Sequence, residues 1–132
     1  MEIVFTFSEE PYLQGSRHLE YSRIKSRQAY IWDLSGEVGT AALRAPSLFS
    51  FEIRLKGRAS HAGFSPEEGV HAIVMAAEGI KKIRLGKIGE EMTVNIGLIE
   101  GGLATNIVPE NCVLKGEVRS LDHEKGISEM AG

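Results

Sequence analysis

The sequence has little cysteine, no excess of basic residues and no long apolar run, and each absence excludes a class of protein. One cysteine in 132 residues excludes an internal disulfide framework and a zinc site built from several thiolates. Fifteen Lys and Arg against eighteen Asp and Glu give a net charge of -3, which argues against a nucleic-acid partner. No apolar segment approaches the roughly twenty residues of a membrane-spanning helix, so no membrane partner is expected.

The composition is typical of a folded domain. An apolar fraction of 42% and a charged fraction of 25% are ordinary for a globular chain, and this length suits one domain or two small pieces. The N-terminus has no basic region followed by an apolar stretch, so the sequence predicts no secretion signal. Together with the single cysteine, this favours a reducing, cytoplasmic location.

The first third of the chain, residues 1–45, has the pattern of part of an α/β sheet. Residues 3–7 are β-branched and aromatic, which is typical of a strand buried on both faces. Residues 29–32 predict a second strand, and the polar residues 12–26 predict a short helix and a connection. Because two strands and one weak helix cannot cover such a sheet, we expect this part to pack on protein that the chain lacks.

From residue 46 to residue 122 the pattern predicts an α+β domain, with a helix packed on one face of an antiparallel sheet. Ser65, Pro66 and Glu68 form a capping box that predicts the start of the helix. Residues 123–132 are polar and without periodicity, and we expect a truncated tail. The alternating apolar residues of the strands are Phe49, Phe51, Ile53 and Leu55, then Met92, Val94, Ile96 and Leu98, then Cys112, Leu114 and Val118.

Three acidic residues of the first third follow predicted strands, where α/β proteins place their sites. Glu9 and Glu10 are adjacent, so one carboxylate could bind a metal while the other moves a proton. From spacing alone, two solvated acids in a loop is the better interpretation. Asp33 precedes a Ser-Gly turn and could be a metal ligand or could bond its own backbone.

In the second part, His61 lies in a loop of small residues, where it could donate a hydrogen bond to developing negative charge. A loop histidine that bonds its own backbone is the plainer alternative. Asn106 could bind a ligand or cap a turn, and Arg119 could hold a carboxylate or pair with Glu117. Cys112 alternates with the apolar face and is interpreted as a core residue.

Taken in order, these segments resemble the peptidase T, aminoacylase and glutamate carboxypeptidase superfamily of zinc metallopeptidases, and most of all its peptidase T-like tripeptidases. The resemblance covers about residues 2–122 and is most specific at SHAG, at GG-ATNIVPE and at GE-RS-D. The segments that carry it are FTFSEEPYLQGSRHL, AYIWDLSGEVG, GRASHAGFSPEEGVHA, GLIEGGLATNIVPENC and GEVRSLD.

The resemblance implies a catalytic α/β domain with two zinc ions, represented here by residues 1–45, and a ferredoxin-like lid that forms a homodimer. It implies that Glu9 is the general base that activates a zinc-bound water and that Glu10 and Asp33 are metal ligands. His61 would reach the active site of the partner subunit and polarise the scissile carbonyl of a peptide substrate. Asn106 and Arg119 would lie near that substrate.

The chain also departs from the family pattern. The first metal-ligand His, the Asp that bridges both metals and the last ligand His have no counterparts, and Pro11-Tyr12 replaces the small apolar and Gly residues usual there. The chain is expected to begin just before the Glu-Glu pair and to end inside the lid. Since two carboxylates cannot assemble a two-zinc centre, we expect this chain alone to be inactive.

Three interpretations of function follow. The first is a fragment of a zinc-dependent tripeptide aminopeptidase, made mainly of its lid and dimerisation domain. The second is a non-enzymatic module that self-associates through sheet edges or its helix. The third is a small-ligand-binding domain with an unrelated α+β fold. The set of Glu9, Glu10 and Asp33 favours the first interpretation, because neither binding module needs it.

Overall fold

The computed structural model describes residues 1–9 and 12–131, and the chain divides into two units, Met1–Leu43 and Arg44–Gly132. No helix in the described residues is long and apolar enough to span a membrane. Two short 3₁₀ helices occur, one in each unit, at Tyr21–Arg23 and Pro66–Glu68. The other elements are α1 (Gln14–Arg17), β1 (Ser47–Lys56), α2 (Ala72–Ile80), β2 (Gly86–Ile88), β3 (Met92–Gly101), β4 (Asn111–Ser120) and α3 (His123–Ala131).

The first unit contains neither of the two strands that the sequence predicts. Residues 3–7 and 29–32 belong to no sheet, and their apolar side chains are exposed, with Phe5 at 91% and Trp32 at 93%. The prediction of strands is wrong because a strand needs a neighbour to satisfy its backbone, and the described part of this unit supplies none. The expected short helix is present as α1 and the 3₁₀ helix after it.

The second unit is a four-stranded antiparallel sheet in the order β1-β4-β3-β2, with α2 and α3 packed against it. This confirms the α+β class that period-2 alternation predicts. β1 pairs with β4 from Ser47↔Ser120 to Lys56↔Asn111, so every residue of both strands is in register. β4 lies at the centre of the sheet and pairs along its length with both β1 and β3.

The core lies between α2 and one face of the sheet. Ala72 and Ala76 of α2 are fully buried against Cys112 and Leu114 of β4, which are each 1% exposed. Small residues on the helix let it approach the sheet closely, and larger aliphatic side chains fill the space around this contact. Cys112 is therefore a core residue, as its place in the alternation predicts. The aliphatic side chains around the core are Ile53, Leu55, Ile73, Ile80 and Ile96.

A bulge in β3 changes the face on which its last residues lie. The register with β4 shifts between Ile96 and Leu98, and Ile99 comes to lie opposite the buried Leu114. Opposed residues share a face, so Ile99 joins the helix side and Leu98 turns to the open side of the sheet. The prediction that Leu98 continues the apolar face is wrong, because Gly97 inserts one residue into the alternation.

The helix α2 begins later than the capping box predicts. Ser65 makes no side-chain cap, and the chain is extended at Gly69 before α2 starts at Ala72. Val70 and Arg58 exchange backbone hydrogen bonds of 2.9 and 3.0 Å, and this bridge ends the 3₁₀ helix that follows Ser65. Tertiary pairing thus outweighs a local capping signal, and Nδ1 of His71 accepts the capping bond from Val74 instead.

Residues 123–131 form the helix α3 rather than the polar tail that the sequence predicts. Its Gly126 is buried against Phe49 of β1, and the Phe49 ring also packs on His123 at 5.3 Å. Arg84 pairs with Glu129 at 2.7 Å and so ties the segment after α2 to α3. These contacts with distant residues stabilise a segment whose own apolar content is too low to predict a packed helix.

Candidate functional site

A loop that continues β1 brings two of the predicted site residues to one end of the sheet. Past the last paired residue of β1, Gly57 donates to the Glu110 carbonyl at 2.6 Å. Further along, Ala62 donates to the Asn106 carbonyl at 2.9 Å, and His61 pairs with Ile107. His61 and Asn106 therefore lie on adjacent extended segments, fixed by backbone hydrogen bonds on a rigid sheet.

Glycine at position 57 is required by this close packing. A side chain there would overlap the backbone of Val70, which crosses Gly57 on its way into α2. The loop of small residues noted in the sequence thus lets two chain segments approach each other behind His61.

The imidazole of His61 is bonded within its own turn. Its Nδ1 accepts hydrogen bonds from the backbone N–H of Gly63 at 3.1 Å and of Phe64 at 3.2 Å. The ring of Phe64 lies 4.4 Å from the imidazole, tilted by 34°. The local bonding that the sequence offered as the plainer alternative is present, and it also fixes the direction in which the ring is held.

Phe64 is a residue that the sequence analysis missed. Its side chain is 87% exposed although it is aromatic and lies three residues after a candidate catalytic histidine. The signal that could have found it is a large aromatic residue in a loop, residues 59–65, whose other members apart from His61 are Ala, Ser and Gly.

A cavity of about 240 Å³ lies at the same end of the sheet as the His61 loop. Its lining includes Ala59, two residues before His61, Ile107, which follows Asn106, and Leu103 from the turn after β3. Gly102 in that turn has a φ of 80°, a conformation that glycine adopts without strain. Gly102 thus allows the chain to turn directly after β3, and it lines this cavity together with Gly101, the last residue of β3.

Arg119 lies at the other end of the sheet. Its Nε donates to Oε1 of Glu117 at 2.8 Å, so the ion pair runs along one strand rather than across two. β4 extends from Asn111 to Arg119 over about 26 Å at roughly 3.3 Å per residue, and His61 lies beyond the Asn111 end. A single chain therefore does not bring Arg119 together with His61 and Asn106.

The described acidic residues of the first unit do not form a metal site. Glu9 and Asp33 are exposed, and Glu10 lies outside the described residues. Within residues 1–9 and 12–131, no group of three or more His, Cys, Asp and Glu side chains could hold a metal ion. The donor set of these described residues is thus short of what zinc requires.

Among the described residues, two carboxyl groups have lowered pKa values, and both lie outside this loop. The Ser26 hydroxyl, followed by the backbone N–H groups of Lys25 and Ser26, lowers the pKa of Glu2. The backbone N–H of Lys125 lowers the pKa of Asp122 at the start of α3. These shifts have local, structural causes, and neither of them marks a catalytic carboxylate.

Known proteins resemble the chain over both units. It is 40% identical over 125 residues to the uncharacterised protein YqjE of Bacillus subtilis strain 168, covering 95% of this chain and 34% of that protein. Aminopeptidase PepT from Bacillus cereus superposes with a TM-score of 0.84 at 40% identity, over 96% of this chain and 34% of that one. A Staphylococcus aureus tripeptidase gives a TM-score of 0.87 at 36% identity, with the same coverage.

The chain therefore spans about a third of the length of these relatives. The interpretation as an unrelated α+β fold is wrong, because the model of the peptidase dimerisation domain matches residues 45–131. This match covers the whole four-stranded sheet, the His61 loop and the helices α2 and α3. The chain belongs to the M20 peptidase family and contains its dimerisation domain.

Proposed function

We propose that this chain is the dimer-forming part of a zinc-dependent exopeptidase that removes residues from short peptides. The observation that carries the proposal is the joint placement of His61 and Asn106 on adjacent segments at one end of the sheet. The aminopeptidase and the tripeptidase that share this fold support peptides as the substrate class.

In this proposal the first unit contributes part of the zinc site. Glu9 acts as general base, and Glu10 and Asp33 are metal ligands that other residues of the complete enzyme supplement. Because the described residues hold no complete ligand set, the isolated chain is expected to be inactive. The single buried Cys112 supports a reducing, cytoplasmic location.

The second unit contributes groups that bind the substrate. His61 would donate a hydrogen bond to the carbonyl oxygen of the scissile peptide bond, and Asn106 would lie beside it. Arg119 would hold a carboxylate. The separation of about 26 Å along β4 supports a two-subunit arrangement, since a small peptide cannot span both ends of one sheet.

We propose that the homodimer forms through the edge of β3. Within the described residues, β2 pairs only with Met92–Val94, so the rest of β3 has an open edge. This edge carries Leu98 and Ile99, which are 58% and 54% exposed. The opposite edge, β1, alternates charged residues that disfavour pairing with another strand, so the β3 edge is the better surface for a second copy.

Sedimentation velocity over a range of concentrations tests the dimer. Ile99→Lys places a charge on the proposed interface and is expected to weaken dimerisation at least tenfold, whereas Ser50→Lys on β1 is the matched control. A wild-type chain that stays monomeric at high concentration would count against this role. If both variants weakened dimerisation equally, the dimer interface would not be the edge of β3.

The peptidase activity is tested on the protein that the native cell makes. An antibody against this chain should capture a species far heavier than 14.4 kDa that hydrolyses tripeptides and loses activity to a chelator. The purified 132-residue chain should not hydrolyse them. Metal-dependent hydrolysis by the purified chain that Glu9→Gln abolishes would refute its expected inactivity. Capture of only a 14.4 kDa species would overturn the peptidase proposal.

A further inference from the structure

The backbone around His61 determines which ring nitrogen can carry a proton. Nδ1 lies 3.1 Å from the Gly63 nitrogen and 3.2 Å from the Phe64 nitrogen. A backbone N–H only donates, so Nδ1 must present its lone pair, and the proton of the neutral ring is on Nε2. The tautomer thus follows from two amides of the same turn.

The backbone of His61 is anchored as firmly as its ring. The N–H of Ser65 donates to the His61 carbonyl at 3.0 Å and closes the turn. On the other side, the pairing of His61 with Ile107 ties the residue to the segment that leads into β4. With the backbone fixed, the remaining freedom of His61 is rotation of its side chain.

Phe64 lies against the imidazole whose rotation remains free. Its ring lies 4.4 Å from the imidazole at an angle of 34°, within the range of favourable aromatic contacts. Because the Phe64 side chain is 87% exposed, hydrophobic burial explains little of its presence. The contact with the His61 ring is therefore the interaction through which this exposed side chain can act.

We infer that Phe64 is a positioning residue that keeps His61 in one rotamer, with Nδ1 on the backbone amides and Nε2–H as the donor offered to a ligand. This inference rests on the proposed function, in which that ligand is a carbonyl oxygen of a peptide. It assigns His61 the role of a hydrogen-bond donor through Nε2. It excludes metal binding or proton abstraction through Nδ1, whose lone pair is already engaged.

The tautomer is measured by long-range ¹H–¹⁵N correlation on the 132-residue chain labelled with ¹⁵N-histidine. Neutral His61 should show a protonated Nε2 and an unprotonated Nδ1. His18 provides an internal contrast, because its Nδ1 lies 2.9 Å from the Gln14 carbonyl oxygen and must donate there. A neutral His61 protonated on Nδ1 would overturn the inference.

The role of Phe64 is measured from the three-bond couplings that report the His61 side-chain rotamer. Phe64→Ala should average His61 over at least two rotamers, while Phe64→Tyr should retain one. Leu103→Ala removes an apolar side chain of similar exposure from the neighbouring turn and should leave His61 unchanged. In all variants the backbone contacts between His61 and Ile107 should persist, which separates positioning from unfolding of the loop.

A single His61 rotamer in Phe64→Ala would refute the positioning role. This result is distinguishable from failure of the proposed function, since the spectra need neither a metal nor a substrate. A complete protein without peptidase activity would leave the measured rotamer and tautomer as they are.

Discussion

At the scale of single residues, Gly69 shows how tightly the loop before α2 is packed. A Cβ added there would lie 2.8 Å from Cγ1 of Val108, whose side chain is 8% exposed, and 2.5 Å from the Ser60 hydroxyl. Neither neighbour can withdraw freely, because Ser60 and Val108 are joined by a backbone hydrogen bond of 2.9 Å. Loop residues here are packed as densely as a core.

Gly69→Ala is therefore expected to lower the free energy of unfolding by about 1–3 kcal/mol, the usual cost of overpacking. The measurement is urea denaturation of wild type and variant under identical conditions. Because Gly69 neighbours the segment that positions His61, the variant should also shift the amide resonances of residues 60–62.

Gly79→Ala is the matched control for this substitution. A Cβ at Gly79 meets nothing within 4 Å, and the residue lies in α2, where alanine is favoured by up to about 1 kcal/mol. The control should be neutral or stabilising. If the two variants had the same stability, the steric argument for Gly69 would be wrong.

At the scale of elements, α3 begins with a carboxylate that caps its first turn. The backbone N–H of Lys125 donates to Oδ1 of Asp122 at 3.1 Å, and this bond lowers the pKa of the Asp122 carboxyl. Partial desolvation opposes the shift, and the positive charge of Lys125 adds to it. The ionised carboxylate is thus the form that caps the helix.

The sign of the pH dependence follows from the lowered pKa. Above the unfolded value of about 3.9, Asp122 contributes its full stabilisation, which is lost as pH falls through the lower folded value. Asp122→Ala should therefore lower the melting temperature at neutral pH and have a smaller effect at about pH 2. Thermal unfolding followed by circular dichroism measures both values.

Asp122→Ser tests whether the charge matters beyond the hydrogen bond. The serine hydroxyl keeps an acceptor at the cap but does not titrate, so its melting temperature relative to Asp122→Ala should not change over the acidic range. An Asp122→Ala effect of equal size at both pH values would contradict the assignment of the cap to the ionised carboxylate.

Elements with strong periodicity could be predicted from the sequence, and those made by distant contacts could not. The alternation from Phe49 to Leu55 predicts β1 because each second side chain meets the same helix-covered face. The start of α2 was misplaced because pairing of Arg58 with Val70 is invisible in the local pattern. α3 was missed because its stabilising contacts come from Phe49 and Arg84.

The candidate site could likewise be predicted from the sequence only in part. His61 and Asn106 could be selected because they lie in loops of small residues next to predictable strands. Their juxtaposition depends on the continuation of β1 past Lys56, which has no periodic signature. Phe64 could not be assigned a role, since only the three-dimensional contact of its ring with the imidazole distinguishes it from any exposed aromatic residue.

At the scale of the whole molecule, the buried core belongs to the second unit alone. Every buried hydrophobic side chain within the described residues lies between Ala72 and Val118. A fragment of residues 44–132 should therefore unfold with the same midpoint and cooperativity as the full chain. Its amide spectrum should overlay on that of the full chain, and loss of cooperative unfolding in the fragment would show that the first unit stabilises the second.

The first unit is expected to behave differently, because its apolar side chains lie on the surface. Within residues 3–7, Phe5 is 91% exposed, and no strand pairing protects the backbone. In a dilute monomer these amides should exchange at close to the unprotected rate, while those of β4 exchange slowly. Exchange that slows with concentration would mean that this segment pairs with another copy. Slow exchange throughout residues 3–7 in a monomer would contradict the prediction, since an exposed segment outside any sheet offers its N–H groups to water.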